Sequence, residues 1–238
     1  MAKIDLVTKT PSPQDLQEYI TWMLTQDVNK NPVTDPTGER AARNQGRYKV
    51  WFIPGGIHNE NRIFRECTVP ANTEILILAA TADSSYLEHK EAQDDDQLLA
   101  IAKETAKLHK NIEITISDDG GGMPQTFGVG DAKNPKKDDL QLIETSAFPI
   151  IIPEDNVYKI LYGVKGGLTH LAIVGWGIKV KLEPGKYKLI LKAEHDVGSV
   201  NVPGLPVLHA PRFKLDIEYT LTAIPEQGPL PLFAKYTE

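Results

Sequence analysis

Five side chains that could bind a metal ion or move a proton lie on two stretches of the sequence. His58 and Glu60 follow a Gly-Gly pair, whereas Asp83, Glu88 and His89 follow an apolar run. Imidazole nitrogens and carboxylate oxygens are ligands that borderline and hard divalent cations prefer. If the two stretches converge, the sequence predicts a metal or carbohydrate site, or a metal-assisted hydrolase, formed around His58 and Asp83.

The spacing of the histidines favours a structural role for them instead. None of the six histidines forms H-x-H or H-E-x-x-H, the tight ligand pairs of zinc sites. We therefore interpret the acids and glycines of these stretches mainly as turn residues. The metal site, with candidates His58, Asp83, Glu88 and His89, is kept as the alternative, and no cofactor is predicted.

Motifs for covalent catalysis or nucleotide binding are not found. Cys67 lies in the strand-like run "RIFRECTV", which predicts an inert thiol in a sheet, and no G-x-S-x-G occurs. The glycines of "SDDGGGMP" follow a strand-like run and indicate a hairpin turn. Those of "GVKGGLTHLAIVGWG" do not form G-x-G-x-x-G and indicate turns or close sheet packing. No catalytic residue is predicted.

Composition and charge narrow the classes of partner. The 238 residues carry a formal net charge of −6, which argues against nucleic acid, because phosphate binding depends on Lys and Arg. No run of 18 apolar residues and no signal-like N-terminus is present, so we expect no membrane span. With one cysteine and no glycosylation sequon, the expected location is cytoplasmic or virus-associated, or secreted if a leader was removed.

The periodicity of apolar residues predicts two helices among many strands. Residues 12–26 have Ser at the N-cap, Pro at the first position and apolar residues at helical spacing. A second helix is predicted over about 94–110, where three acids precede an apolar face. Short runs rich in β-branched residues predict about eight strands; they are "YKVWFI", "RIFRECTV", "EILILAA", "IEITIS", "LIETSAFPIII", "WGIKVKL", "YKLILKA" and "FKLDIEYTLTA".

These elements predict a mostly-β fold, an antiparallel, jelly-roll-like β-sandwich with an N-terminal helix and one inserted helix. Residues 1–46 would form that helix and a long connection, 47–224 the sandwich, and 225–238 a proline-rich tail. Pro184 and Gly185 occupy the central positions of a type II turn, so we expect a hairpin there. Trp22, Trp51 and Trp176 are the largest apolar anchors; Trp51 and Trp176 are expected in the core or at an interface, with stacking on a sugar or a partner as the alternative.

The proline-rich tail suggests a partner. Its prolines cannot donate to a strand ladder, and its apolar residues Leu230, Leu232 and Phe233 could dock on a neighbouring molecule or on the chain's own domain. The leading hypothesis is thus a non-catalytic protein that acts in binding or assembly, through self-association or with a protein partner.

The order of several segments resembles a broad group of mostly secreted bacterial and archaeal proteins. Those segments include "NKNPVTDPTGERAARNQGRYKVWFIPGG", "RECTVPANTEILILAATADSSYLE" and "GWGIKVKLEPGKYKLILKAE". Members carry an Asn-Pro…Asp-x-Thr-Gly segment, a "VWFLAG"-like strand and a Cys followed by "VPAGKALFFP". The resemblance implies a secreted-type β-sandwich without an attached activity. It also implies further cysteines near positions 41, 84 and 101, of which this chain keeps none, retaining only Cys67.

Overall fold

The computed structural model of this chain describes residues 3–57, 61–129 and 140–225. The predicted mostly-β class is confirmed. His58 and Glu60 of the predicted site, and Leu230, Leu232 and Phe233 of the tail, lie outside the described residues. The predicted division at positions 46 and 224 stays a prediction.

Three α-helices and thirteen strands make up the described part of the chain. The helices are α1 (Pro13–Leu24), α2 (Asp95–Ala106) and α3 (Val157–Tyr162). Four 3-10 turns follow α1, at Val28–Lys30, Pro32–Thr34, Glu39–Ala42 and Gln45–Arg47. The strands are β1 (Ile4–Thr8), β2 (Trp51–Ile53), β3 (Ile63–Pro70), β4 (Ile75–Ser85), β5 (Lys110–Asp118), β6 (Gln125–Gly128), β7 (Ile143–Glu144), β8 (Phe148–Ile152), β9 (Gly167–Leu182), β10 (Gly185–His195), β11 (Gly198–Val200), β12 (Leu208–Ala210) and β13 (Phe213–Ile224).

The strands form two large sheets and one small ladder. The first sheet has the order β1-β9-β4-β2, with β7 and β8 also paired to β9. The second has the order β3-β13-β10-β5-β6, and β11 pairs with β12. Most strand pairs are antiparallel, as predicted, but β2 runs parallel to β4 and β3 runs parallel to β13, so both large sheets are mixed. The jelly-roll-like sandwich order stays a prediction.

The prediction of a hairpin at Pro184 and Gly185 is wrong. The chain does turn there, but β9 before the turn belongs to the first sheet and β10 after it to the second. The Pro-Gly pair therefore carries the chain from one sheet to the other. By contrast, "SDDGGGMP" does connect the antiparallel strands β5 and β6, with Gly121 at a φ of +86° and the Gly122 amide donating to Asp118.

The apolar faces of the two large sheets share one core. Its buried residues come from β4 and β9 on one side and from β5, β10 and β13 on the other, and they include Trp51 and Trp176. A second core lies on the opposite face of the first sheet, where Trp22 and the rest of α1 pack with α3 and β8. All three tryptophans are buried, and Trp51 and Trp176 take the core position, one of the two that the sequence allowed.

Local sequence signals place both predicted helices correctly. The Ser12 hydroxyl accepts from the Asp15 amide, and the Asp15 carboxylate accepts from the Ser12 amide, which forms a capping box. Asp94 caps α2 through the Gln97 amide. Strand β1 and helix α3 were not predicted. Within the described ranges, no helix is long and apolar enough to cross a membrane.

Candidate ligand-binding cleft

A cleft lies where strand β4 continues beyond its short neighbour β2. Strand β2 pairs with β4 only from Ile75 to Ile77, and the chain then leaves the sheet at Pro54. The cavity beside β4 has a volume of about 350 Å³ and is lined by residues 78–83 of β4 and 55–57 of the departing chain. Since side chains alternate between the faces of a strand, a cavity lined by six consecutive residues lies along the strand's edge.

A β-bulge decides which side chains of β4 face which side of the sheet. The register with β9 shifts between Leu78 and Ala80, so Ala79 is the inserted residue. Leu78 packs in the core beneath α1, whereas Ala79, Ala80 and Ala82 all pack in the core between the sheets. Asp83 consequently faces the side covered by α1 and α3.

Two carboxylates, those of Asp83 and Glu88, line one end of the cleft. Both are partly exposed to the cavity, but surrounding protein removes most of their water. Burial raises the pKa of Asp83 to about 7. Burial, and then the negative charge of Asp83, raise the pKa of Glu88 well above its usual range. The Ser85 hydroxyl donates to Glu88 over 2.9 Å and holds that carboxylate in the turn after β4.

Three tyrosines surround the carboxylates. The hydroxyl of Tyr158 on α3 donates a hydrogen bond to Asp83. Burial, and then the charges of Asp83 and Glu88, raise the pKa of Tyr162. Tyr19 of α1 lines the same cavity, and its hydroxyl accepts from the Gly55 amide over 3.0 Å. The acidic end is thus a pair of carboxylates inside a group of aromatic side chains.

No basic side chain within the described part of the chain forms an ion pair with Asp83 or Glu88. His89, which the sequence placed in the same candidate site, turns its Nδ1 to Glu91 at 3.1 Å and does not line the cleft. The structure therefore brings together two of the four predicted ligands. Ile57, directly before His58, lines the cavity too. Across the described ranges, no group of three His, Cys, Asp or Glu side chains could hold a metal ion.

The opposite side of the cleft is formed by rings. His109 and His195 pack at a centroid distance of 4.7 Å, and both contact Phe213. Burial, and then the neighbouring His195, lower the pKa of His109 to about 4. His109 is therefore neutral at physiological pH, and this side of the cleft is aromatic, with the guanidinium of Arg212 also in its lining.

The chain segment that leaves β2 is fixed by Arg65 of β3. The Arg65 side chain is 2% exposed, and its guanidinium donates to the carbonyls of Gly55 at 2.7 Å and Val33 at 3.0 Å. It also donates to the Tyr219 hydroxyl at 2.7 Å. That hydroxyl donates in turn to the Pro54 carbonyl at 2.5 Å. Arg65 and Tyr219 thus hold the chain away from the edge of β4 and keep the cleft open.

A second polar cluster lies apart from the cleft, at the start of α2. Asp95 accepts from the Tyr86 hydroxyl at 2.9 Å and contacts His170 Nδ1 at 3.0 Å. The hydrogen bond from His170 lowers the pKa of Asp95. Asp95 and His170 are both 44% exposed, so the cluster is a surface hydrogen-bond network.

Sequence reasoning missed the tyrosines and the ring cluster. Tyr158 and Tyr162 lie on α3, which has only six residues, but its ends carry a signal. Asn156 caps it through the Lys159 amide, and Gly163 ends it with a φ of +70°, so Asn-x6-Gly brackets the helix. His109 lies at the end of the helix predicted over about 94–110, and no local sequence signal indicates that its side chain is buried.

No protein-family model, curated protein or solved structure matches this chain. The resemblance drawn from the sequence motifs stays a prediction, and the function is argued from the cleft.

Proposed function

We propose that this chain is a binding protein whose cleft takes an organic cation, a primary ammonium or a guanidinium, at Asp83 and Glu88. The observation that carries the proposal is the acid pair itself. Two carboxylates share a poorly hydrated pocket, and no cation among the described residues, including Arg212 on the other side of the cleft, contributes to the pKa of either one. Such a pair is costly when ionised and is stabilised by a cation that enters the pocket.

The surroundings of the acid pair favour an organic cation over a metal ion. Calcium takes six to eight oxygen ligands, and zinc usually four ligands. Ammonium and guanidinium groups need only hydrogen-bond acceptors and are attracted to aromatic rings, and Tyr19, Tyr158 and Tyr162 line the cavity. The remainder of the cleft is mostly apolar, as a methylene stem attached to the cation requires.

Binding should be strongest above neutral pH. The carboxylate of Asp83 loses its proton through a pKa of about 7, while an alkyl ammonium keeps its proton to about pH 10. The attraction is therefore weak at pH 5, where Asp83 holds its proton, and it grows as pH rises to 8.

The test is calorimetric titration of the full chain with N-acetyl-lysine methylamide at pH 5 and pH 8. Asp83→Asn combined with Glu88→Gln removes the charges with little change of shape and should lower affinity at pH 8 at least about tenfold, since hydrogen bonds to charged groups contribute about 1.5–3 kcal/mol each. The control, Asp119→Asn with Glu39→Gln, makes the same charge change at exposed positions outside the cleft and should leave affinity unchanged.

Three results would contradict the proposal. They are absence of amine binding at pH 8, equal loss in the control variant, and tighter binding of n-butyrate than of n-butylammonium. Calcium titrated in place of the amine separates a metal site from an ammonium site, because only the former would bind calcium more tightly than the amine.

A second candidate, acid–base hydrolysis of a glycoside, is favoured by the raised pKa values. A protonated and an ionised carboxyl group side by side can act as acid and base. This candidate predicts turnover of aryl glycosides with a pH optimum near 7 that Asp83→Asn abolishes. Binding without turnover leaves the first proposal in place.

A further inference from the structure

We infer that the ligand of the cleft is an extended peptide segment of another protein, which pairs with the free edge of β4 and places a basic side chain between Asp83 and Glu88. This inference rests on the proposed function and names the ligand's chemical class. It is based on the unpaired backbone groups at the edge of β4. The proposed cation site does not depend on these groups.

The backbone of β4 presents unpaired groups to the cleft. On β9, Ile173 directs its carbonyl to the Thr145 amide and its own amide to the Thr145 hydroxyl, both away from β4. Asp83 lies opposite Ile173, so Asp83 forms a non-hydrogen-bonded pair with β9 and its backbone groups face the other edge. Thr81 lies two residues before Asp83 and opposite Gly175, so its backbone groups face the same edge as those of Asp83.

No partner strand covers that edge. In the described part of the chain, β2 stops at Ile53, and the backbone groups of Thr81 and Asp83 have no hydrogen-bond partner. An unpaired edge is a template for a further strand. Residues 78–83 span about 20 Å at roughly 3.3 Å per residue, which is enough for a segment of five or six residues.

The two sides of the cleft select alternate side chains of such a segment. One side holds Asp83, Glu88 and the tyrosines, and the other holds His109, His195 and Phe213, with Arg212 beside them. Successive residues of a strand point to opposite faces. A segment that places Lys or Arg at the acid pair therefore places its two neighbours against the aromatic side, where apolar residues fit.

Charge complementarity identifies the occupant as basic. The acid pair lacks a described cation, and the full chain has a net charge of −6, so a basic segment is attracted both locally and at longer range. A second copy of this chain carries the same negative charge and is the less favourable occupant.

The experiment compares acetylated, amidated pentapeptides Val-Lys-Val-Thr-Val, Phe-Lys-Val-Thr-Val and Leu-Arg-Leu-Thr-Val with N-acetyl-lysine methylamide, by calorimetry with the full chain at pH 8. At least one peptide should bind about tenfold or more tighter than the amine, because each main-chain hydrogen bond adds about 1 kcal/mol. Only alternate amides of the bound peptide face β4. N-methylation of those amides should remove the gain in affinity, and N-methylation of the amides between them should leave it intact.

The outcomes separate the two proposals. If the amine binds and no peptide binds more tightly, or if N-methylation acts equally at both sets of amides, the peptide inference is overturned and the cation site stands. If neither amine nor peptide binds, both fall. Replacing the basic residue, Lys or Arg, by Glu in the best peptide should abolish its binding, and unchanged binding would also overturn the inference.

A substitution in the protein, in place of a change in the peptide, tests the same strand edge. Thr81→Pro removes the backbone donor that faces the cleft, and proline is tolerated at strand edges when its missing amide is the outward one. It should reduce peptide affinity about fivefold or more and leave amine affinity unchanged. If this variant does not fold, the N-methyl comparison on the unaltered protein decides the question.

Discussion

The hydroxyl of Tyr158 donates a hydrogen bond to the carboxylate of Asp83 and thereby joins helix α3 to strand β4. Asp83 has no other hydrogen bond among the described residues. The carboxylate that lines the cleft is therefore held in place by a neutral donor, and its charge is left for a ligand to compensate.

The acid pair should make the protein less stable as pH rises from about 4 to 8. Burial raises the pKa of Asp83 to about 7 and that of Glu88 well above its usual value, so the folded state holds protons that the unfolded state has released. Their stabilising contribution is complete at low pH and is lost as pH rises through the folded pKa values. Urea unfolding at pH 5 and pH 8 measures the difference.

The variant Asp83→Asn with Glu88→Gln should lose that dependence and gain stability relative to the natural protein at pH 8. The control variant, Asp119→Asn with Glu39→Gln, should keep the pH dependence and gain no stability at pH 8. A natural protein that became more stable from pH 5 to pH 8, by an amount that the cleft variant removed, would contradict the assignment.

Replacement of Arg65 should destabilise the fold strongly. Its guanidinium binds three neutral oxygens from different segments, and an ammonium cannot span them with the same geometry. Arg65→Lys should lower the free energy of unfolding by about 2–3 kcal/mol, since several hydrogen bonds to a buried charge are lost. Thermal and urea unfolding measure it.

The matched control for Arg65 is Arg62, which forms surface ion pairs with Asp216 and Glu218. Arg62→Lys should change stability by less than about 1 kcal/mol. If the two variants lost equal stability, the hydrogen bonds of Arg65 would not be what holds the residues after β2 in place.

Buried His109 should weaken the fold in acid. Burial, and then His195, hold its pKa at about 4, below the value of about 6.5 for an exposed histidine. Its stabilising contribution is present above pH 6.5 and is lost as pH falls through 4, because the unfolded chain takes up the proton first.

His109→Gln is neutral at every pH, so the stability that it loses at pH 7.5 should be partly recovered at pH 4.5. Unfolding curves of variant and natural protein at the two pH values give this difference directly. A constant difference between them would show that His109 titrates normally.

Cys67 should react slowly with alkylating reagents in the folded protein. Burial raises the pKa of its thiol to about 12, and only the thiolate attacks. At pH 8 the rate with iodoacetamide should be at least about 100-fold lower in the folded than in the urea-unfolded chain, given an unperturbed pKa of about 8.5. Comparable rates would contradict the inert thiol that both sequence and structure indicate.

The sequence by itself determined the elements whose signals are local. Ser12 and Asp94 mark the helix starts, the alternation of apolar residues marks most strands, and Trp22, Trp51 and Trp176 mark the core. These features depend on neighbouring residues along the chain, through caps, turn preferences and side-chain periodicity. They can therefore be predicted without knowledge of the tertiary contacts.

Pairing and convergence were decided by tertiary structure. Pro184 and Gly185 were correctly assigned to a turn, but whether the next strand pairs or crosses to another sheet depends on distant partners such as Glu113 and Thr222, which lie opposite β10. Likewise Asp83 and Glu88 were named as candidates, whereas Tyr158 and His109 entered the cleft from elements far along the chain.

The cleft exists because β2 pairs with β4 over only three residues. Arg65 and Tyr219 carry the next residues away, and the bulge at Ala79 turns Asp83 towards α3. Each of these is a contact between segments separated in sequence, whose free energy is gained only when the whole chain packs. The sequence supplied the acid pair, and the fold gave it a pocket, aromatic neighbours and an open strand edge.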